Sequence, residues 1–388
     1  MKPRLLYLVE GNTDIRFVVG LAEISELTMI VPERAYRESG LDGRVADSGV
    51  KVDVVTIPGG RLGFQLRSLA ALWSSVRRFD VVLSQEMLRG SLNANIAGRL
   101  RHVPVAVTMA LDPVEYFRCR RERGQIGPAT AAAGEALLRS LLTVNGRLAT
   151  RALALGPYLK EVVSRYSRRV GAMGYYGVDV SLFRPATRAE RVAIRSRLDL
   201  PPDAFIVLFS SRVSHEKDPE TIIDAAAMAR KSGLNVVVLN LGGGFRQFLD
   251  LAARVSPGSE GWVLGRPAVH PMTQDLADYF RAADVVAQAS LAEGLGLAPL
   301  EALACGTPVV ATNVGGMAAH LGGLATLTPR RDARAMAEAF VWVARQPAEA
   351  CRQAMRGREY VVREWSSARV FEELSRELQS LSRKQSSS

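Results

Sequence analysis

The chain has 388 residues, a formal net charge of +11, 48% hydrophobic side chains and 23% charged ones. That balance is globular and excludes wholesale disorder, while the length exceeds one ordinary core and calls for two domains of about 150–200 residues. No apolar run reaches the roughly 18–20 residues of a membrane-spanning helix. Cys119, Cys305 and Cys351 are odd in number and lack CxxC spacing, which argues against a disulfide framework and a zinc site.

The N-terminal run MKPRLLYLVEGN is interrupted by Glu10 and Gly11, too early for a secretory signal, so Leu5–Val9 reads as a buried strand and the protein as cytoplasmic. Further strand candidates in the first half are Leu27–Val31, Val52–Ile57, Asp80–Ser84, Val103–Thr108, Ala152–Leu155 and Val170–Met173. In the second half they are Phe205–Ser210, Asn235–Asn240, Trp262–Leu264, Val285–Gln288, Pro308–Ala311 and Ala325–Leu327. All are short, rich in Val, Ile and Leu, and without alternation, as in parallel strands buried on both faces. Amphipathic segments separate them; Leu62, Leu66, Leu69, Trp73 and Val76 share one helical face.

Such βα alternation, run through twice, predicts two doubly wound, Rossmann-like α/β domains facing across a cleft, with ligands at the carboxyl ends of the strands. The stretch YYGVDVSLFRPATR, residues 175–188, breaks periodicity at Gly177, Asp179 and Pro185 and marks the linker. The expected divisions are a first Rossmann-like domain at 1–178, a second at 179–365, and a C-terminal helix at 366–388 returning to the first domain with a frayed SRKQSSS tail.

Positive charge is uneven: residues 1–180 hold 25 Lys and Arg against 17 Asp and Glu. Arg61, Arg67, Arg77 and Arg78 flank the Leu62–Val76 face, and Arg118, Arg120, Arg121 and Arg123 cluster in FRCRRERGQ. Two readings stand: a basic amphipathic face that meets an anionic membrane, or a helix packed on the sheet with its arginines in water.

Three stretches carry chemistry. In SLAEGLGLAPLEALACGTPVVATNVGG, Glu293 and Glu301 are separated by seven residues, with Gly294 and Gly296 at the turn into a helix. The glycines and first-turn amides suit a phosphate. The glutamates are either a hydrolase's acid and base, set about 5–9.5 Å apart, or ligands for hydroxyls. In SSRVSHEKDPETIIDA, Arg212 and Lys217 follow a strand and suit a diphosphate; the alternative is a local ion pair with Glu216 or Asp218. LNLGGGF, at 239–245, is another glycine turn. His102, His215, His270 and His320 share no ligand spacing and read as solvated loop histidines, with the alternative for His215 that it reaches the phosphate site beside Lys217.

In this order the stretches resemble the donor domain of the retaining glycosyltransferases of the GT-B fold, glycosyltransferase family 4. The resemblance rests on Ser290, Glu293-Gly294-Leu295-Gly296-Leu297, Glu301-Ala302, Gly306, Pro308-Val309-Val310-Ala311 and Gly315-Gly316, preceded by RAADVVAQAS and the linker phrase GVDVSLFRP. It spans residues 175–370 strongly and the first half loosely. It implies that Arg212 and Lys217 hold the donor diphosphate and neutralise the leaving nucleotide. Glu293 would bind the transferred sugar and Glu301 the ribose hydroxyls. Backbone at Gly294, Gly296 and Leu297 would touch sugar or phosphate. Gly11 would face the phosphates from the first domain, and Gly265 and Arg266 would lie near the base.

No Asp-x-Asp occurs, so transfer without a metal or other cofactor is expected, from a UDP- or GDP-linked sugar to a glycan, glycolipid or lipid-linked acceptor in cell-surface polysaccharide or glycoconjugate synthesis. No nucleic-acid partner is expected. The chain departs from the family at Ala110, where a histidine is usual, and at Ala319, where a glutamate is usual; the loop EGNTD lacks the second glycine. The acceptor side then falls to Asn12 and Asp112. The competing readings are a sugar-nucleotide epimerase or phosphorylase and a catalytically weak scaffold of the same fold.

Overall fold

The structure, a computed structural model, describes residues 2–386, with side chains through Ser382. The chain divides into two compact units: residues up to Tyr176 together with those from Ala368 onward, and Gly177–Ser367.

In the first unit β1 (Arg4–Leu8), β2 (Glu26–Pro32), β3 (Val52–Ile57), β4 (Val81–Ser84), β5 (Val105–Met109), β6 (Arg151–Leu155) and β7 (Val170–Met173) form one parallel sheet of order β3-β2-β1-β4-β5-β6-β7. Central strands β4 and β5 are buried throughout, whereas edge strand β3 is largely exposed. The unbroken Val, Leu and Ala runs follow from helices covering both faces. Leu5 pairs with Leu27 on one side and Val81 on the other, so the order reverses between β1 and β4. The helix Ser367–Ser386 contributes Phe371, stacked on Phe17 with centroids 6.2 Å apart, and Glu377, 3.2 Å from Arg151. The Phe371 ring lies so close to Gly20 that a Cβ there would sit 1.9 Å from it.

The second unit repeats the plan with β8 (Phe205–Phe209), β9 (Val236–Leu241), β10 (Val263–Arg266), β11 (Val285–Gln288), β12 (Val309–Thr312) and β13 (Thr326–Thr328), in the order β10-β9-β8-β11-β12-β13. Here the order reverses between β8 and β11. Each reversal opens a crevice at the strands' carboxyl ends, the usual ligand position in such sheets.

The apolar face read from the sequence is divided by the structure, with Val76 buried and its other large members exposed or half-exposed. The helix Arg61–Ser75 buries Phe64, Ser68 and Leu72, while Leu62, Leu66 and Trp73 are 75%, 67% and 46% exposed. Both series have helical spacing. Packing against the helix Arg89–Arg101 selects the Phe64 series, and there Asn93 Nδ2 donates to Ser68 Oγ at 3.1 Å and to the Gln65 carbonyl at 2.7 Å. Among the described residues no helix is long and apolar enough to cross a membrane.

Candidate active site

The second unit gathers its chemistry at the β8/β11 reversal. The loop after β8 carries Arg212 and Lys217, and the loop after β11 carries Glu293. Leu291 N donates to Glu216 O at 2.7 Å and clips the two loops together. Polar residues at otherwise apolar strand ends hold these loops. Asn240, at the end of β9, donates through Nδ2 to the Phe209 and Ser211 carbonyls, both at 3.1 Å. Thr312 Oγ1, ending β12, donates to Ser290 O at 2.6 Å, and Gln288 Nε2, ending β11, donates to Ser290 Oγ at 2.7 Å. A polar group facing a buried strand end needs a partner, so each such residue fixes a neighbouring loop.

Lys217 Nζ lies 2.6 Å from Glu293 Oε2 in a mostly buried ion pair. Ser290 Oγ donates to the same carboxylate oxygen at 3.2 Å. Glu293 is thus oriented as an acceptor of hydrogen bonds beside a cation. Arg212 is 68% exposed, and its Nη2 donates to Glu216 Oε1 at 2.9 Å. The local ion pair open from sequence is therefore what Arg212 forms. Its other guanidinium donors make no hydrogen bond among the described residues and remain available to an anion.

Gly296 takes φ 85° and precedes the helix Leu297–Ala304, leaving the Leu297 and Ala298 amides unused within the helix; Pro299 has no N–H to offer. Gly316 N donates to Glu293 O at 2.9 Å. A Cβ on Gly316 would lie 1.9 Å from the Gly294 carbonyl oxygen, so this crossing of two backbones admits only glycine. The LNLGGGF turn joins the group: Val213 N donates to Gly243 O at 3.1 Å, and Gly242 N to Arg266 O at 3.3 Å. Gly265 and Arg266 end β10, at the edge of this sheet, and Glu301 is buried in the second turn of the helix Leu297–Ala304.

His320 corrects the reading of a solvated loop. It ends the helix Gly315–His320, is buried, and its ring lies tilted to that of Trp365 with centroids 5.9 Å apart. Burial disfavours its charged form and depresses its pKa to about 4.

In the first unit, Gly11 and Asn12 are exposed in the loop after β1, and nothing lies within 4 Å of a Cβ built on Gly11. Asn12 O accepts from Gln85 Nε2 at 2.9 Å. Asp112 Oδ1 accepts from Val114 N at 2.9 Å and caps the helix Pro113–Glu122. The carboxylates at the β1/β4 reversal are instead Glu10 and Glu86, which sequence patterning did not single out. Glu10 accepts from Gln65 Nε2 at 2.8 Å and Gly90 N at 2.9 Å, and pairs with Arg89 Nη2 at 3.0 Å. Burial and the Glu10 charge push Glu86 up to about 7. The signal that could have found both is position: each closely follows a buried strand at the point where the sheet order reverses.

Residues 190–360 match the family described as glycosyl transferases group 1. The D-inositol 3-phosphate glycosyltransferase 1 of Catenulispora acidiphila is 35% identical over 251 residues, covering 62% of this chain and 57% of that protein. The D-inositol 3-phosphate glycosyltransferase of an Arthrobacter species is 38% identical over 248 residues, covering 62% and 56%. The chain thus spans a little over half the length of these two curated relatives. Among solved structures, Anabaena Alr3699/HepE in complex with UDP and glucose superposes with a TM-score of 0.75 at 19% identity, over 97% of this chain and 100% of that one. Sucrose-phosphate synthase from Thermosynechococcus elongatus gives 0.77 at 19% identity, over 97% and 99%. At such identities the superpositions establish the fold, two Rossmann-like domains of the GT-B type.

Proposed function

We propose, from the match of residues 190–360 to the glycosyl transferases group 1, that the protein moves a sugar from a nucleoside-diphosphate sugar, UDP- or GDP-linked, to an acceptor hydroxyl with retention of anomeric configuration. The observation that carries this is the ion pair of Lys217 with Glu293 at 2.6 Å, beside Arg212 at the β8/β11 reversal. The diphosphate draws Arg212 and Lys217 into charge-assisted hydrogen bonds. Glu293, held by Ser290 and Gln288, accepts hydrogen bonds from the transferred sugar, and Glu301 from the ribose.

The reaction breaks the bond between the anomeric carbon and the diphosphate oxygen, and that oxygen keeps the electron pair. Negative charge grows there, and the prepositioned Arg212 and Lys217 stabilise it, a term that is commonly the largest in such catalysis. The acceptor oxygen bonds to the anomeric carbon on the face the diphosphate leaves. Its proton passes to the departing phosphate oxygen, so neither a protein nucleophile nor a metal is called on.

The acceptor is a hydroxyl of a glycan, glycolipid or lipid-linked molecule in surface glycoconjugate synthesis. The exposed Leu62, Leu66 and Trp73 favour a lipid-linked one. Their helix packs on Arg89–Arg101, and that helix on Pro128–Leu148, which add exposed Leu100, Leu137 and Val144. Arginines surround this face, Arg101 lying over the Trp73 ring at 3.9 Å from its centroid. Apolar side chains framed by cations suit the anionic face of a membrane, where the protein docks peripherally.

A thermal-shift panel of UDP, GDP and ADP sugars tests the donor assignment. One nucleotide class is expected to raise the melting temperature of wild-type protein, and Glu301→Ala to remove that rise. A panel without any shift contradicts the reading, whereas donor binding without nucleotide release favours a scaffold of this fold.

A further inference from the structure

We infer that Glu86 is an acceptor-binding residue, whose carboxylate takes hydroxyl groups of a hydroxyl-rich acceptor in a groove at the carboxyl edge of the first unit. The inference rests on the glycosyl-transfer reading above and deepens it on the acceptor side.

The groove has a volume of about 660 Å³ and lies at the β1/β4 reversal, lined by Glu10, Asn12, Gly60, Arg61, Phe64 and Glu86 among others. Within it Glu86 departs from ordinary behaviour in three ways. Its backbone takes φ 63°, the left-handed region that a residue with a Cβ avoids, and two contacts fix it there. Glu86 N donates to Thr108 Oγ1 at 3.3 Å, and Ser91 Oγ donates to Glu86 O. These contacts hold the backbone and leave the side chain unengaged. Its carboxylate accepts no hydrogen bond and meets no cation among the described residues. Glu10 nearby, by contrast, is fully committed to Gln65, Gly90 and Arg89.

Among the described residues no cation pairs with Glu86: of the arginines lining the groove, Arg34 is paired with Glu38, Arg89 with Glu10, and Arg61 makes no ion pair with it. The groups acting on it are Glu10 from the loop after β1, with Arg89 already spent on that partner, and the buried phenols of Tyr7 on β1 and Tyr175 after β7. Tyr7 and Tyr175 are themselves turned to Thr13, at 3.2 and 3.5 Å. A half-buried carboxylate with little water and no partner among the described residues is a poorly satisfied group that a ligand can satisfy. The missing partners are hydrogen-bond donors. A polyol supplies them in pairs, because adjacent hydroxyls can each donate to one carboxylate oxygen. An anionic group placed at Glu86 itself would meet a like charge, so the acceptor presents hydroxyls at this point.

Saturation-transfer NMR on the full chain with saturating UDP tests the assignment, using myo-inositol, D-inositol 3-phosphate and methyl α-mannoside as probes. Wild-type protein is expected to bind at least one probe, more tightly at pH 8 than at pH 5.5. Glu86→Gln is expected to weaken it about tenfold or more and to flatten the pH dependence, with UDP affinity unchanged. A second readout separates this role from a structural one. Because the folded pKa is raised, the carboxylate costs stability as pH rises through about 7. Glu86→Gln should therefore melt higher than wild type at pH 8 and equally at pH 4. Unaltered probe binding in Glu86→Gln, a lower melting temperature of that variant at pH 8, or no probe binding to wild type overturns the inference. Loss of UDP binding by wild type would instead overturn the donor reading.

Discussion

The two sheets reverse strand order in the same way, yet their carboxyl edges are finished differently. At the β8/β11 edge the charges are largely paired: Lys217 with Glu293, Arg212 with Glu216. Backbones cross there at glycine-only distance, and strand-end amides and hydroxyls tie the loops down. At the β1/β4 edge Gly11 has open space around it, and the Glu86 carboxylate has no hydrogen-bond or ion-pair partner among the described residues. On the proposed reading the first edge is a socket built for one ligand class, in which an incoming diphosphate would exchange one set of ion pairs for another. The second is a less constrained groove that leaves its ligand to satisfy it.

Lys217→Ala should produce the largest effect. Removing the cation from beside Glu293 withdraws leaving-group stabilisation, and nucleoside diphosphate release from the preferred donor should fall about 10²–10³-fold. Retained turnover would mean that the paired edge is structural. A glycine pair compares the edges directly. Gly316→Ala places a Cβ against the Gly294 carbonyl and should cost about 1–3 kcal/mol in chemical unfolding. Gly11→Ala meets nothing within 4 Å and should stay within about 0.5 kcal/mol. Equal costs would erase the distinction between tight and open edges.

Replacing both Leu66 and Trp73 by Glu should abolish co-sedimentation with anionic vesicles at low salt and leave donor-dependent melting shifts intact. Wild-type protein that ignores such vesicles would remove the membrane from the account. The smallest effect belongs to Asp112→Ala, which deletes the cap of the helix Pro113–Glu122. About 1 kcal/mol of stability should go, without change in acceptor preference. A changed preference would restore Asp112 to the acceptor side.

Both sheets could be read from apolar runs because parallel strands covered on two faces need no alternation; even short β13 announced itself. The gathering of residues at the β8/β11 edge was readable because they are local: Glu293, Gly294, Gly296 and Gly316 fall within one stretch. The first unit's edge was harder because Glu10 and Glu86 lie far apart in sequence and meet only through strand order. Which face of Arg61–Ser75 is buried stayed open in the sequence for a related reason. Leucine periodicity says which side of a helix is apolar; the buried side depends on its neighbours, and here Ser68 is buried against Asn93. Buried His320 likewise carries no local signal, since its environment comes from Trp365, 45 residues further along the chain.

The central claim is that Arg212, Lys217 and Glu293 drive transfer with retention. Its most direct measurement is NMR of the first sugar product released from the UDP, GDP and ADP sugars, run with and without EDTA. The account expects one donor class to be consumed, the product to keep the donor's anomeric configuration at first appearance, and EDTA to have no effect. An inverted first product, a requirement for metal, or donor bound for hours without nucleotide release would contradict it.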